Sequence, residues 1–301
     1  MSVQKLPIKP RRKPLTVFDI ALYTICVIIS IVFLYPIYYV FVAAFSKPSD
    51  FFSNPLIILP RTFSLYNMEM MLKSAGIWIG YRNTLFYMAI GTVINICLTV
   101  TLAYALAQRE MPIRRTLNFM IVFTMYFSGG LIPTFLVVRN LGILNTIWAI
   151  MLPGAISTWN LMVTRTYLST QISSELLEAA EVDGAGEYCV FFHIVLPLCK
   201  PILITIGMFY ASGHWNSWFS SLIYLRDRSL YPLQVFLREL LILNDAASMT
   251  VEAGDYASNM AMYILTMKYA VMVATLLPML IVFPFVQKYF VKGIMIGALK
   301  G

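Results

Sequence analysis

Six runs of roughly twenty residues carry almost no charge, and no other feature limits this chain so tightly. They are Val17–Phe45, Asn83–Ala107, Leu117–Val138, Leu144–Val163, Ile202–Tyr224 and Tyr269–Gln287. A helix needs about 20 apolar residues to cross the hydrocarbon core of a bilayer. The runs therefore predict an all-α polytopic membrane protein with six transmembrane helices. The first run exceeds that length, so it tilts or projects beyond the membrane. Charged residues are only 12% of the chain, about half the share of a soluble domain. The net charge of +8 does not indicate nucleic acid, because no basic stripe with interleaved aromatics is present.

The cations instead mark a side. Lys5, Lys9, Arg11, Arg12 and Lys13 precede the first run, Arg109, Arg114 and Arg115 follow the second, and Lys288, Lys292 and Lys300 follow the last. The short connection from Arg139 to Ile143 on the opposite side has one. The positive-inside rule then places both termini and the central connection 164–201 in the cytoplasm. This divides the chain into a basic tail (1–16), a six-span transmembrane domain (17–290) and a C-terminal tail (291–301). The first run is too long for the roughly 7–15-residue apolar core of a cleavable signal, so it reads as a retained span. Cys26, Cys97, Cys189 and Cys199 lack metal-ligand spacing and read as small apolar residues.

Two outer connections are long, 46–82 and 225–268. The second contains Leu233–Leu243, too short and too charged to span, which reads as a helix or loop over the outer mouth. Pro133, Pro153, Pro278 and Pro284 lie inside predicted spans, and each removes a backbone donor and kinks or breaks its helix.

The spans hold only Asp19, at an edge, and His214 as ionisable residues beyond tyrosine and cysteine. Ion-coupled transporters keep carboxylates or polar ion sites near mid-membrane, and no such carboxylate is present. A redox enzyme needs paired histidines for haem or metal, and His193 and His214 are the only histidines. No Gly-Lys dipeptide exists, so the phosphate-cradling G-x-x-x-x-G-K-[ST] loop is missing. A transporter with neither ion site nor nucleotide site needs a surface on which a motor subunit can dock.

The central connection supplies one. Ser174 is a candidate N-cap, with Glu175 and Glu178 in the first turns, where negative charge suits the helix dipole. Leu176, Ala179, Ala180 and Asp183 fall on one face at helical spacing. Gly184 can stop the helix in a left-handed conformation. A second helix follows, with Tyr188, Phe191, Phe192 and Val195 on the face expected to pack under the spans.

Glu178-Ala179-Ala180, Gly184 four residues later, and Ile194-x-Leu196-Pro197 ten residues beyond that glycine form a long, gapped pattern. It resembles the cytoplasmic EAA loop of ATP-binding-cassette importer permeases, and nearly the whole chain is similar to the carbohydrate-uptake type, as in the smaller maltose permease. The resemblance implies a type I importer permease fold and an ATPase-coupling role for Glu178, Ala179, Ala180, Asp183, Gly184, Ile194, Leu196 and Pro197. It implies a second homologous permease, two ATP-binding-cassette ATPase subunits, an extracytoplasmic solute-binding protein and a bacterial cell membrane. This chain is expected to bind no cofactor and to catalyse no reaction, with ATP and magnesium held by the ATPases. The cargo implied is a carbohydrate, with a resemblance to the branch that takes up uronate-containing or plant-polysaccharide oligosaccharides. A polyol or glycerol phosphate is the alternative cargo, and an ion-coupled secondary transporter the alternative mechanism. By position, Asn244–Asn259 is either a loop that reaches the binding protein or plain surface. His214, Trp215, Asn216 and Trp218 mark a possible substrate path, while tryptophan near a span end also fits an interfacial belt.

Overall fold

A computed structural model describes residues 16–48, 59, 62–108, 110–250, 266–284 and 287. No β-strand occurs among them, only an isolated bridge between Ser46 and Phe63. Helix α1 (Val17–Ala44) begins at a reciprocal cap. The Asp19 carboxylate accepts from the Thr16 amide at 2.9 Å, and the Asp19 amide donates to the Thr16 hydroxyl at 3.2 Å, which satisfies two of the donors a helix start leaves open. Asp19 thus has a structural task. The helix is exposed from Val17 to Tyr38 and meets the bundle only near its end, where Val42 and Ala43 pack with Tyr39 and Tyr269.

After α2 (Tyr66–Lys73), helix α3 (Ala75–Ala107) is the axis of the fold. Its 33 residues reach about 50 Å at 1.5 Å per residue. Three later helices pack along it: α7 (Thr158–Gln171), α10 (Lys200–Trp215) and α12 (Leu233–Thr250). The stretch expected to lie over the outer mouth is the start of α12, seated closely on α3. A Cβ on Gly80 would stand 2.9 Å from the Leu233 Cα, and the Leu233 amide donates to the Thr84 hydroxyl at 2.9 Å.

The expectation of six spans changes in detail. Among the described residues, three helices are continuous, long and apolar enough to cross a membrane: α1, α3 and α13 (Thr266–Pro284). The third predicted span is two helices, α4 (Arg114–Tyr126) and α5 (Leu131–Asn140), bent by 115°. The break lies at Ser128-Gly129-Gly130, with Gly130 at φ +85°, rather than at Pro133. That proline occupies the first turn of α5, where its missing N–H has no partner to lose. The fourth predicted span is also interrupted. Helix α6 (Trp148–Met151) ends before Pro153, and α7 starts only at Thr158. The fifth is α10, ending at Trp215, then α11 (Phe219–Tyr224). Helix α13 runs on through Pro278. The two tails, apart from Thr16, and residues 251–259 lie outside the described residues, as do the side chains of 244–250.

Candidate coupling segment and membrane cleft

The segment after α7 folds as two short helices. Helix α8 (Ser174–Val182) is capped by Ser173, one residue before the expected Ser174, and the Ser173 hydroxyl accepts from the Leu176 amide at 3.3 Å. Its other end closes at Gly184, which adopts φ +80°. The Gly184 amide donates to the Glu181 carbonyl and the Ala185 amide to the Ala180 carbonyl, both at 2.9 Å. These two bonds make a Schellman stop, whose left-handed residue favours glycine.

The four residues that share one face of α8 by helical spacing do not share one environment. Ala180 is buried, and Leu177 and Ala185 pack against the same cluster. Leu176, Glu178, Ala179 and Asp183 lie exposed, so the expected stripe divides, with Ala180 inside and the remainder outside. Helix α9 (Glu187–Leu198) contains a π turn over Val190–Val195. The wider turn lengthens the repeat. Val190 and Val195 are buried, and Phe191, Ile194 and Leu196 are half-buried. Tyr188 and Phe192, expected inward, are 84% and 57% exposed. Pro197 is exposed in the last helical turn before Cys199. The segment's outer surface is therefore acidic and apolar together, with Glu178, Glu181 and Asp183 beside Val182 and Tyr188.

Ala180, Val190, Val195 and Cys199 share one buried cluster with Val100, Ala103 and Leu106 of α3, Leu161 and Leu168 of α7, and Ile202, Ile206 and Tyr210 of α10. At its far end the Tyr210 hydroxyl lies 2.7 Å from the Thr99 hydroxyl and accepts from the Ser157 amide at 3.0 Å. The Asn95 side chain donates to the Ala155 carbonyl at 2.6 Å and meets His214 Nε2 at 2.7 Å. These side chains occupy backbone groups released where the helix is interrupted between Met151 and Thr158. An interrupted helix inside a membrane requires such substitutes.

The interruption opens a cleft of about 440 Å³ between α3, α7 and α10. Asn95, Asn160, Tyr210, His214, Ser217 and Ser220 supply its polar lining. The cleft lies near the middle of α3, since Gly91, the seventeenth of its 33 residues, faces His214. Of the residues expected along a substrate path, His214 lines the cleft. Trp215 is 2% exposed, its ring tilted toward that of Tyr81. Asn216 is exposed and donates to the Ser212 carbonyl at 2.8 Å. Trp218 lies under the Arg238 guanidinium, 4.8 Å from its centroid. The four sequence neighbours thus point to four different surroundings.

Sequence reasoning directed at ionisable groups passed over the uncharged polar ones. On α3, Gly80, Thr84, Tyr87, Gly91, Asn95 and Thr99 are all buried. Their spacing of three to four residues marks one face of a helix, and that regularity was readable. Asn83 and Tyr87 on the same helix hold the carbonyls of Ser229, Leu230 and Tyr231 at 2.7 to 3.0 Å. On α7, Asn160, Thr164 and Leu168 are buried at the same four-residue spacing.

Known proteins resemble this chain in sequence and in fold. A permease of the polygalacturonan/rhamnogalacturonan transport system of Bacillus subtilis, YtcP, is 37% identical over 284 residues, covering 94% of this chain and 98% of that protein. The protein LplC of the same organism is 39% identical over 272 residues, covering 88% and 89%. A chain in the crystal structure of a bacterial ABC transporter involved in import of the acidic polysaccharide alginate superimposes with a TM-score of 0.81 at 32% identity, covering 91% of this chain and 96% of the other. Residues 73–296 match the family of binding-protein-dependent transport system inner membrane components. An interrupted helical bundle, a Schellman-stopped acidic segment rooted in its core and a match over most of its length establish that this chain belongs to that permease family.

Proposed function

We propose that this chain is one permease of an ATP-driven importer of carbohydrate, an oligosaccharide in particular. It works beside a second permease, two ATPase subunits that bind ATP and magnesium, and an extracytoplasmic solute-binding protein. Both tails and the segment 164–201 face the cytoplasm, and residues 17–290 form the membrane domain. Helix α8 docks on an ATPase subunit through Glu178, Ala179, Asp183 and the turn at Gly184, while Ile194, Leu196 and Pro197 carry its movement to α10. The carbohydrate reading draws on the relatives, two of which are named for polysaccharide uptake.

One observation carries the coupling role. Ala180 sits in the buried cluster that reaches Tyr210 at the cleft, while its neighbour Ala179 is exposed. A small inward residue lets the helix seat closely on the bundle, and protein interiors transmit displacement because they are close-packed. The acidic and apolar outer surface suits a partner with a basic-rimmed apolar groove.

Gly184→Val and Glu178→Lys test the reading. A β-branched residue at φ +80° is strongly disfavoured. The expected result is loss of uptake, with normal membrane insertion and permease pairing. Normal uptake by both variants would overturn the docking role. The chain purified alone should hydrolyse no ATP.

A further inference from the structure

We propose that the cleft at the middle of α3 is a binding site for the hydroxyl-bearing face of a saccharide unit, with Asn160 as its central specificity residue. This rests on the carbohydrate reading above and extends it to a place within this chain.

Asn160 is 5% exposed and lines the cleft. Its backbone is engaged on both sides, the amide donating to the Ser157 hydroxyl at 3.4 Å and the carbonyl accepting from the Thr164 hydroxyl at 2.7 Å. Its side-chain amide has no hydrogen-bond partner among the described residues. Asn95, Tyr210 and His214 Nε2 show the opposite pattern, each occupied by another of these side chains or by backbone. Among the described residues, the fully enclosed side-chain polar atoms that lack a partner belong to Thr92, Asn118 and Ser221, so the Asn160 amide is not sealed inside the protein. It opens to the cleft, where a ligand can supply both an acceptor and a donor.

The rest of the lining fits a sugar. The hydroxyls of Ser217 and Ser220 also lie in the cleft without a side-chain partner in the protein, and Phe209 and Pro153 add apolar surface. A pyranose carries hydroxyls at its rim and C–H groups on its faces, so it needs a few placed polar groups against apolar walls. The volume of about 440 Å³ falls within the roughly 300–1,000 Å³ of small-molecule sites. Among the described residues no lysine or arginine lines the cleft, so its polar groups suit hydroxyls rather than a carboxylate.

The test uses the complete transporter in proteoliposomes, with its binding protein and ATPases. Neutral oligosaccharides (raffinose, arabinotriose) and an acidic one (trigalacturonate) are screened for stimulation of ATP hydrolysis. If none stimulates the parent complex, the carbohydrate reading falls and the site with it. With a stimulating sugar, Asn160→Ala should move about tenfold less sugar per ATP hydrolysed than the parent, the size of effect expected for losing the hydrogen bonds of a side-chain amide. Asn160→Gln should recover part of the loss. The double variant Ser217→Ala/Ser220→Ala, which leaves Asn160 in place, should reduce sugar moved per ATP in the same direction. Parental sugar movement per ATP in Asn160→Ala and in the double serine variant would overturn the site while leaving the importer reading intact. If Asn160→Ala does not assemble, the serine variant alone decides.

Discussion

Gly91→Ala offers a stringent check on how the cleft is held together. A Cβ at this position would stand 2.5 Å from His214 Nε2, 2.6 Å from Cε1 and 3.0 Å from Cδ2. Ordinary contact begins near 3.4 Å, so the ring must retreat by about 0.9 Å, the difference between 3.4 and 2.5. The same Nε2 lies 2.7 Å from Asn95 Oδ1, and a retreat of that size stretches the bond beyond the roughly 3.2 Å limit of good geometry. Asn95 is 1% exposed, so its oxygen is left unpaired at a cost of about 1–3 kcal/mol. Alanine recovers roughly 0.5–1 kcal/mol in a helix interior relative to glycine. The expected net destabilisation is about 0–2.5 kcal/mol. A thermal melt of the detergent-solubilised transporter would show it as a lower midpoint. The sharper measurement is a double-mutant cycle with His214→Ala. Once the ring is gone the added methyl should keep only its helix-forming gain, which cancels in the cycle and leaves a coupling of about 1–3 kcal/mol. An equal penalty for Gly91→Ala with and without His214 would refute the reasoning.

Other consequences follow from the same contacts. Gly80→Val should pry α12 from α3, because the Leu233 Cα and amide nitrogen at 2.9 and 3.1 Å are backbone atoms that cannot rotate aside; overpacking of about 1–3 kcal/mol should appear as faster hydrogen exchange over 229–240. Ala180→Leu should destabilise the bundle by a similar amount, since Ala180 is buried, whereas Ala179→Leu should leave the melting point unchanged and reduce only ATPase coupling. Cys199 is fully buried, which pushes its thiol up to about 11. It stays protonated below that pH and lacks the reactive thiolate, so a water-soluble maleimide at pH 7.5 should label exposed Cys189 and spare Cys199, with labelling of Cys199 appearing only on unfolding.

Much of the coupling segment was legible because its signals are local. A serine, an acidic first turn and a glycine ten residues on define a short helix whatever surrounds it, and α8 formed between Ser173 and Gly184. The choice between Ser173 and Ser174 was not legible, since both offer the same hydroxyl and only the backbone angle separates them. The inward face of α9 was misjudged for a different reason. Tyr188 and Phe192 fit a 3.6-residue repeat, but the π turn over Val190–Val195 replaces that repeat with a wider one. The interruptions were legible only in part. Pro133 drew attention to the third span, but the chain turns earlier, at two adjacent glycines, where positive φ is easily reached.

Long apolar runs, a short acidic helix and the lack of a Gly-Lys dipeptide were readable from residue order alone, because hydrophobic length, charge and short spacing act within one stretch of chain. The tertiary structure decided which polar side chains met one another. Asn95 of α3 found His214 of α10 and the carbonyl of Ala155, and Tyr210 reached Thr99 and Ser157. Those pairings join residues 53 to 119 positions apart, and they leave Asn160 buried with its amide open. Whether a polar side chain serves as a strut or waits for a ligand depends on which helices lie beside it, and no pattern within a single helix records that.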